Sequence, residues 1–220
     1  MRRAITVLAL AALSAHGEPV TAEPSFRNIA LLIESVRAAS FPELQDAPIE
    51  VHGLQSDFDY LQTRFTLSSY FLSSKLRYTI MFNPEALNRQ APAEGLRAIV
   101  AHELAHIDYF RSHSRISLLG LVLMLSPSFA TRFERQADLE AIALGYGPGL
   151  QVFRTWVYRN VPAERVEEKK RDYFSPEEIE AILRAQKQHP GIMGTFSRCV
   201  PRNLAEIELG TRNPAGGCPR

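Results

Sequence analysis

The chain has 220 residues, of which 45% are hydrophobic and 22% charged, with 25 basic against 24 acidic side chains and a formal net charge of +1. That length and balance suit one hydrophobic core and exclude a disordered or collagen-like chain. No basic stripe or polybasic tail is present, so nucleic acid is not an expected partner.

Arg2 and Arg3 precede an apolar run over residues 4–13 that is broken by Thr6. Such a run matches the core of a signal peptide and is too short to span a membrane. Val20-Thr21-Ala22 then offers small residues at a cleavage site, which predicts a signal peptide over residues 1–22 cut after Ala22, with Ala15 or Gly17 as alternative cut points. An uncleaved anchor is the other option. Export predicts a periplasmic or secreted protein whose mature part, residues 23–220, is a single domain.

Phe26, Ile29, Ala30, Ile33 and Val36 recur at helical spacing and predict an amphipathic helix over residues 24–39. Residues 49–52, 58–67 and 76–82 are rich in β-branched and aromatic side chains and predict strands. In the last of these, Leu76, Tyr78, Ile80 and Phe82 alternate onto one face. Pro92 opens a helix carried by Leu96, Ile99, Val100, Leu104, Ile107 and Phe110. Ser126-Pro127 begins another that runs to Gly145, with Phe133, Ala137, Ala141 and Leu144 as its apolar stripe. Ser175-Pro176-Glu177-Glu178 has the pattern of a capping box and starts a helix reaching about Gln188.

Between the two middle helices, residues 116–125 form a hydrophobic run of ten residues, about 15 Å of helix against a ~30 Å hydrocarbon core. It cannot cross a bilayer alone. Burial against the N-terminal helix is expected, with a peripheral membrane contact through Ile116 to Leu125 as the alternative. The two cysteines, Cys199 and Cys218, are expected to pair as a disulfide in an oxidising compartment, zinc ligation being the alternative.

His102-Glu103-Leu104-Ala105-His106 is an HExxH sequence inside a predicted helix. Four residues advance a helix by about 6 Å and a little over one turn, so two imidazoles at that spacing can share a tetrahedral ion. On the helical wheel Glu103 falls with Leu96, Ile99, Val100 and Ile107, on the arc that faces the core. An unpaired carboxylate there costs on the order of several kcal/mol, whereas a glutamate that activates a zinc-bound water explains the pattern directly. A metzincin is excluded, because Tyr109 and Ser112 stand where that pattern has Gly and His. His113 lies too far along the helix to join the same ion. Glu134 and Asp138, one turn apart on the following helix, are the candidates for a third ligand.

HExxH followed by Glu134-Arg135-Gln136-Ala137-Asp138 and a later Gly145 resembles the zinc metallopeptidases that include the CAAX prenyl endopeptidases, the HtpX-type proteases and their periplasmic relatives. The resemblance covers about residues 101–145. It implies that His102, His106 and Glu134 hold Zn²⁺, that Asp138 orients His102, and that Glu103 is the catalytic base. It also implies that His189, in a His-Pro step, reaches the active site. The implied fold is α+β and gluzincin-like: a small antiparallel sheet packed on the HExxH helix, with a second metal-ligand helix beside it. The expected activity is hydrolysis of peptide bonds in a protein or peptide substrate, bound in extended form along strand 76–82 as the sheet edge. The alternative is a non-catalytic zinc-containing chaperone or adaptor that binds peptides without cutting them.

Overall fold

A computed structural model describes residues 24–65, 76–113 and 127–214 of the chain, and its class is α+β. The expected signal peptide over residues 1–22, the hydrophobic run 116–125 and Cys218 lie outside the described residues. Among the described residues no helix is long and apolar enough to cross a membrane. The chain divides into two compact units, residues 1–90 with 103–130, and residues 91–102 with 131–220.

In the first unit, α1 (Pro24–Ser40) buries Phe26, Ile29, Ile33 and Val36, the periodic set read from the sequence. Three five-residue strands follow: β1 (Ile49–Gly53), β2 (Leu61–Phe65) and β3 (Tyr78–Phe82). Tyr78, Ile80 and Phe82 of β3 are buried as the alternation requires, and Phe82 meets Phe26 edge-on at 5.8 Å between ring centroids.

The sheet corrects two expectations. It is mixed rather than antiparallel, because β1 pairs parallel to β3 while β2 pairs antiparallel to it. Its order is β1-β3-β2, so β3 is the central strand and not an edge at which a substrate can pair. The end of β3 shows what fixes this order. The Leu54 amide donates to the Phe82 carbonyl at 2.8 Å on one side, and the Asn83 amide donates to the Tyr60 carbonyl at 2.9 Å on the other. The buried Asn83 side chain then donates to the Ser56 and Asp59 carbonyls at 2.7 and 3.0 Å, which pins the β1–β2 connection around it. After a short helix α2 (Glu85–Asn88), Pro92 precedes α3 (Ala93–Ser112). Thr63 on β2 donates its hydroxyl to the Glu103 carbonyl of α3 at 3.1 Å, and Phe65 packs edge-on against Phe110 at 5.3 Å.

The second unit takes the start of α3 and is otherwise helical. It holds most of α4 (Pro127–Ala141), then α5 (Gly147–Asn160), α6 (Ala163–Asp172), α7 (Pro176–Gln188), α8 (Ile192–Arg198) and α9 (Leu204–Arg212). The α4 helix stops earlier than Gly145. A wider π-type turn covers Ile142–Tyr146, and Gly145 sits at φ 93°, a left-handed conformation that glycine accepts without steric cost. This turn rotates Leu144 out of the apolar stripe, leaving it exposed, while Phe133, Ala137 and Ala141 remain buried. The capping box read at Ser175 is present, and α7 ends at Gln188 as expected.

Gly149 determines how closely α5 approaches α3. A Cβ at that position would stand 2.5 Å from the Glu94 carbonyl oxygen and 2.8 Å from Cβ of Ala98, so no larger residue fits without separating the helices.

Candidate metal centre

The apolar residues of α3 that precede the motif, Leu96, Ile99 and Val100, are buried, and the same helical arc carries the motif residues into the interior. His102, Glu103 and His106 are 1%, 4% and 5% exposed. On α4, Glu134 is 9% exposed and Asp138 fully buried, beside Ala130, Phe133, Ala137 and Ala141. Burial of so many ionisable groups is costly unless each is paired or metal-bound.

Asp138 is the best partnered of them. Its Oδ1 accepts from His102 Nδ1 at 2.8 Å and from Arg154 Nη2 at 2.9 Å, and its Oδ2 accepts from the Phe174 amide at 3.1 Å. Burial alone would raise the pKa of this carboxyl. The Arg154 guanidinium foremost, then His102 and the Phe174 amide, outweigh that penalty and hold it below the ordinary aspartate value. A carboxylate that accepts these three bonds assigns the proton of His102 to Nδ1.

With Nδ1 donating to Asp138, Nε2 of His102 faces Glu134 Oε2 at 3.2 Å, and it is an acceptor like that oxygen whenever the ring is neutral. Two buried acceptors at that distance repel unless a proton or a metal cation lies with them. His106 brings a third possible ligand atom into the same volume. One ligand atom each from His102, His106 and Glu134 lies within 4.8 Å of the others. Ligands about 2.1 Å from a tetrahedral ion stand roughly 3.4 Å apart, close to the His102–Glu134 spacing. This buried group can therefore bind a metal ion.

Of the residues singled out in the sequence, His102, His106 and Glu134 come together as one cluster and Asp138 sits behind His102. Glu103 is buried on α3 next to His102. His189 follows the last residue of α7, half-buried, and is not one of the three clustered residues. His113 is exposed and stacked on Tyr109 at 3.8 Å, a surface position as expected.

The sequence reading missed Arg154, Tyr173 and the Phe174 amide. Arg154 had a legible signal. It shares a helical face with the buried Leu150, Phe153 and Val157, and an arginine on a core-facing arc either meets a buried acceptor or carries its charge out to solvent. Tyr173 had none, since its position follows from the turn between α6 and α7. Its ring lies 4.2 Å from the Arg154 guanidinium carbon and 5.8 Å from the His102 ring. Comparison with protein-family models, with curated proteins and with solved structures finds no match to this chain, and the case for a metal at this centre is carried by its own geometry.

Proposed function

We propose that the chain is a zinc-dependent endopeptidase of the group that includes the CAAX prenyl endopeptidases, the HtpX-type proteases and their periplasmic relatives. The proposal takes the fold as gluzincin-like and the protein as exported, acting on protein or peptide substrates. The observation that carries it is the buried His102–His106–Glu134 cluster with Glu103 buried beside it on the same helix.

Two imidazoles and one carboxylate are the ligand set of catalytic zinc in several peptidases, and leave one coordination position for water or substrate. Zinc bound there would supply Lewis acidity, polarising the scissile carbonyl and lowering the pKa of water to about 7. His102, His106 and Glu134 would hold the ion, and Asp138 fixes the ring of His102 through Nδ1. Glu103 takes the proton of the attacking water and returns it to the departing amine, the general acid–base part of the reaction. Its burial near the ligands limits competing solvation of the carboxylate.

The test combines metal analysis of purified protein with hydrolysis of an unfolded polypeptide. Wild type should carry one zinc per chain and cleave. Glu103→Gln should keep the zinc and lose at least ~10²-fold in turnover, the usual contribution of general-base catalysis. Turnover near the wild-type value in that variant removes Glu103 from the mechanism. Zinc without any cleavage by wild type would instead favour a non-catalytic zinc-containing chaperone or adaptor.

A further inference from the structure

We propose that Arg154 is a positioning residue of the metal centre, acting through Asp138 on His102; the inference rests on the metal-binding reading of the cluster. Arg154, Asp138 and His102 form an unbroken chain of buried contacts, 2.9 Å from guanidinium to carboxylate and 2.8 Å from carboxylate to imidazole. All three side chains are 5% exposed or less. Arg154 and His102 both donate to the same oxygen, Oδ1, so the position of the guanidinium limits where that oxygen can stand and hence how the imidazole is turned.

The guanidinium is itself held in place. Tyr173 stacks its ring at 4.2 Å on one side, and the close approach at Gly149 sets the distance of α5 from the helix that bears His102. A buried arginine whose role was merely to satisfy Asp138 would need no such fixing. Replacing it frees Oδ1 to move and leaves the Asp138 charge uncompensated, and both effects reach the metal through the His102 ring. Glu134 meets the other ring nitrogen of His102, Nε2, so the Arg154–Asp138 pair acts on the imidazole from the Nδ1 side.

The experiment is a double-mutant cycle on zinc affinity, read by competition with a chelator on full-length protein. Wild type, Arg154→Met, Asp138→Asn and the double variant are compared, each first shown to be folded by circular dichroism. Arg154→Met and Asp138→Asn should each weaken zinc binding about 10- to 100-fold, the usual effect of losing a partner behind a metal-ligating histidine. The double variant should bind within about threefold of Asp138→Asn, because contacts in one chain are not additive.

Arg154→Met that is folded and binds zinc within about threefold of wild type overturns the proposal. So does a double variant in which the two losses multiply. If Arg154→Met does not fold, the double variant, which buries neither charge, is compared with Asp138→Asn. Equal affinity supports the relay, and a further tenfold loss overturns it. A wild type with no measurable zinc affinity is a different result, since it removes the metal centre itself and this inference with it.

Discussion

Arg135 and Arg154 are both buried, 3% and 4% exposed, and both reach from one helix to the groups around it, but they meet different chemistry. Arg135 binds a frame. Its Nη1 donates to Glu178 Oε1 at 3.0 Å and to the Pro201 carbonyl at 3.3 Å, and its Nη2 to the Lys170 and Arg171 carbonyls at 3.1 and 3.4 Å. The Phe174 ring lies 4.7 Å from its guanidinium carbon. These partners are the end of α6, the start of α7 and the segment before α9, so Arg135 ties α4 to three other parts of its unit, two through backbone carbonyls and one through a carboxylate. Arg154 donates instead to Asp138, the carboxylate that holds His102. One arginine secures neighbouring elements, and the other, on the proposed reading, supports a metal ligand. Similar burial therefore carries no information about role until the acceptor is identified.

The largest effect is expected at the cluster itself. As a ligand of the proposed zinc, Glu134 would supply both a bond and a negative charge, and its loss would leave two imidazoles, which rarely retain catalytic zinc. Glu134→Ala should be purified largely without metal, with its helical circular-dichroism spectrum preserved. Zinc stoichiometry under a fixed chelator concentration checks this, and retention of zinc in Glu134→Ala with its loss in Asp138→Ala would exchange the two roles.

Next comes the frame. Arg135→Met leaves Glu178 buried without its cation and three carbonyls without their donor, and breaking a buried ion pair in this way typically costs about 3–5 kcal/mol. Urea denaturation of the metal-free proteins should show a loss of that size. The surviving folded fraction should bind zinc with nearly wild-type affinity. A smaller effect is expected behind the ligand: Asp138→Ala should still take up zinc in excess, with affinity lower by about 10- to 100-fold. If Arg135→Met weakened zinc as much as Asp138→Ala, frame and ligand support would not be separate.

The cluster residues and the α7 cap were legible in the sequence. HExxH at a helical spacing placed two imidazoles on one face of α3, and Glu134 with Asp138 one turn apart supplied carboxylates on the next helix. Ser175 and Pro176 marked the start of α7 because capping chemistry is local. What was not legible depends on distant parts of the chain. Five-residue strands carry too few side chains to specify neighbours, and the central place of β3 is set by hydrogen bonds at Leu54, Tyr60 and Asn83 that alternation does not encode. Leu144 looked like a continuation of the stripe of α4, since the π-type turn that expels it is visible only in the backbone at Gly145. Arg154 lies on an otherwise apolar face, yet a long side chain can carry its charge to solvent from such a position, so sequence alone does not say that this one stays inside.

The smallest effect tests whether the frame stops at Arg135. Ser175 caps α7: its Oγ accepts from the Glu178 amide at 3.2 Å, while Glu178 Oε2 accepts in return from the Ser175 amide at 2.8 Å. The same Glu178 side chain holds Arg135 through Oε1. Ser175→Ala removes the hydroxyl but leaves the backbone amide of residue 175 in place, so Glu178 keeps one anchor and remains available to Arg135. The variant should therefore lose about 1 kcal/mol, the usual value for an N-cap, and not the several expected when the arginine itself is removed. Its zinc affinity should lie within about threefold of wild type, because no contact in the capping box touches His102, His106, Glu134 or Asp138. Stability by urea titration and affinity by chelator competition can be read on the same preparation. A tenfold loss of zinc affinity in Ser175→Ala would mean that the turn bearing Tyr173 and Phe174 moves with the cap and drags the Asp138 carboxylate with it. Arg135, whose guanidinium lies over the Phe174 ring, would then belong to the metal centre after all, one residue farther out than Arg154.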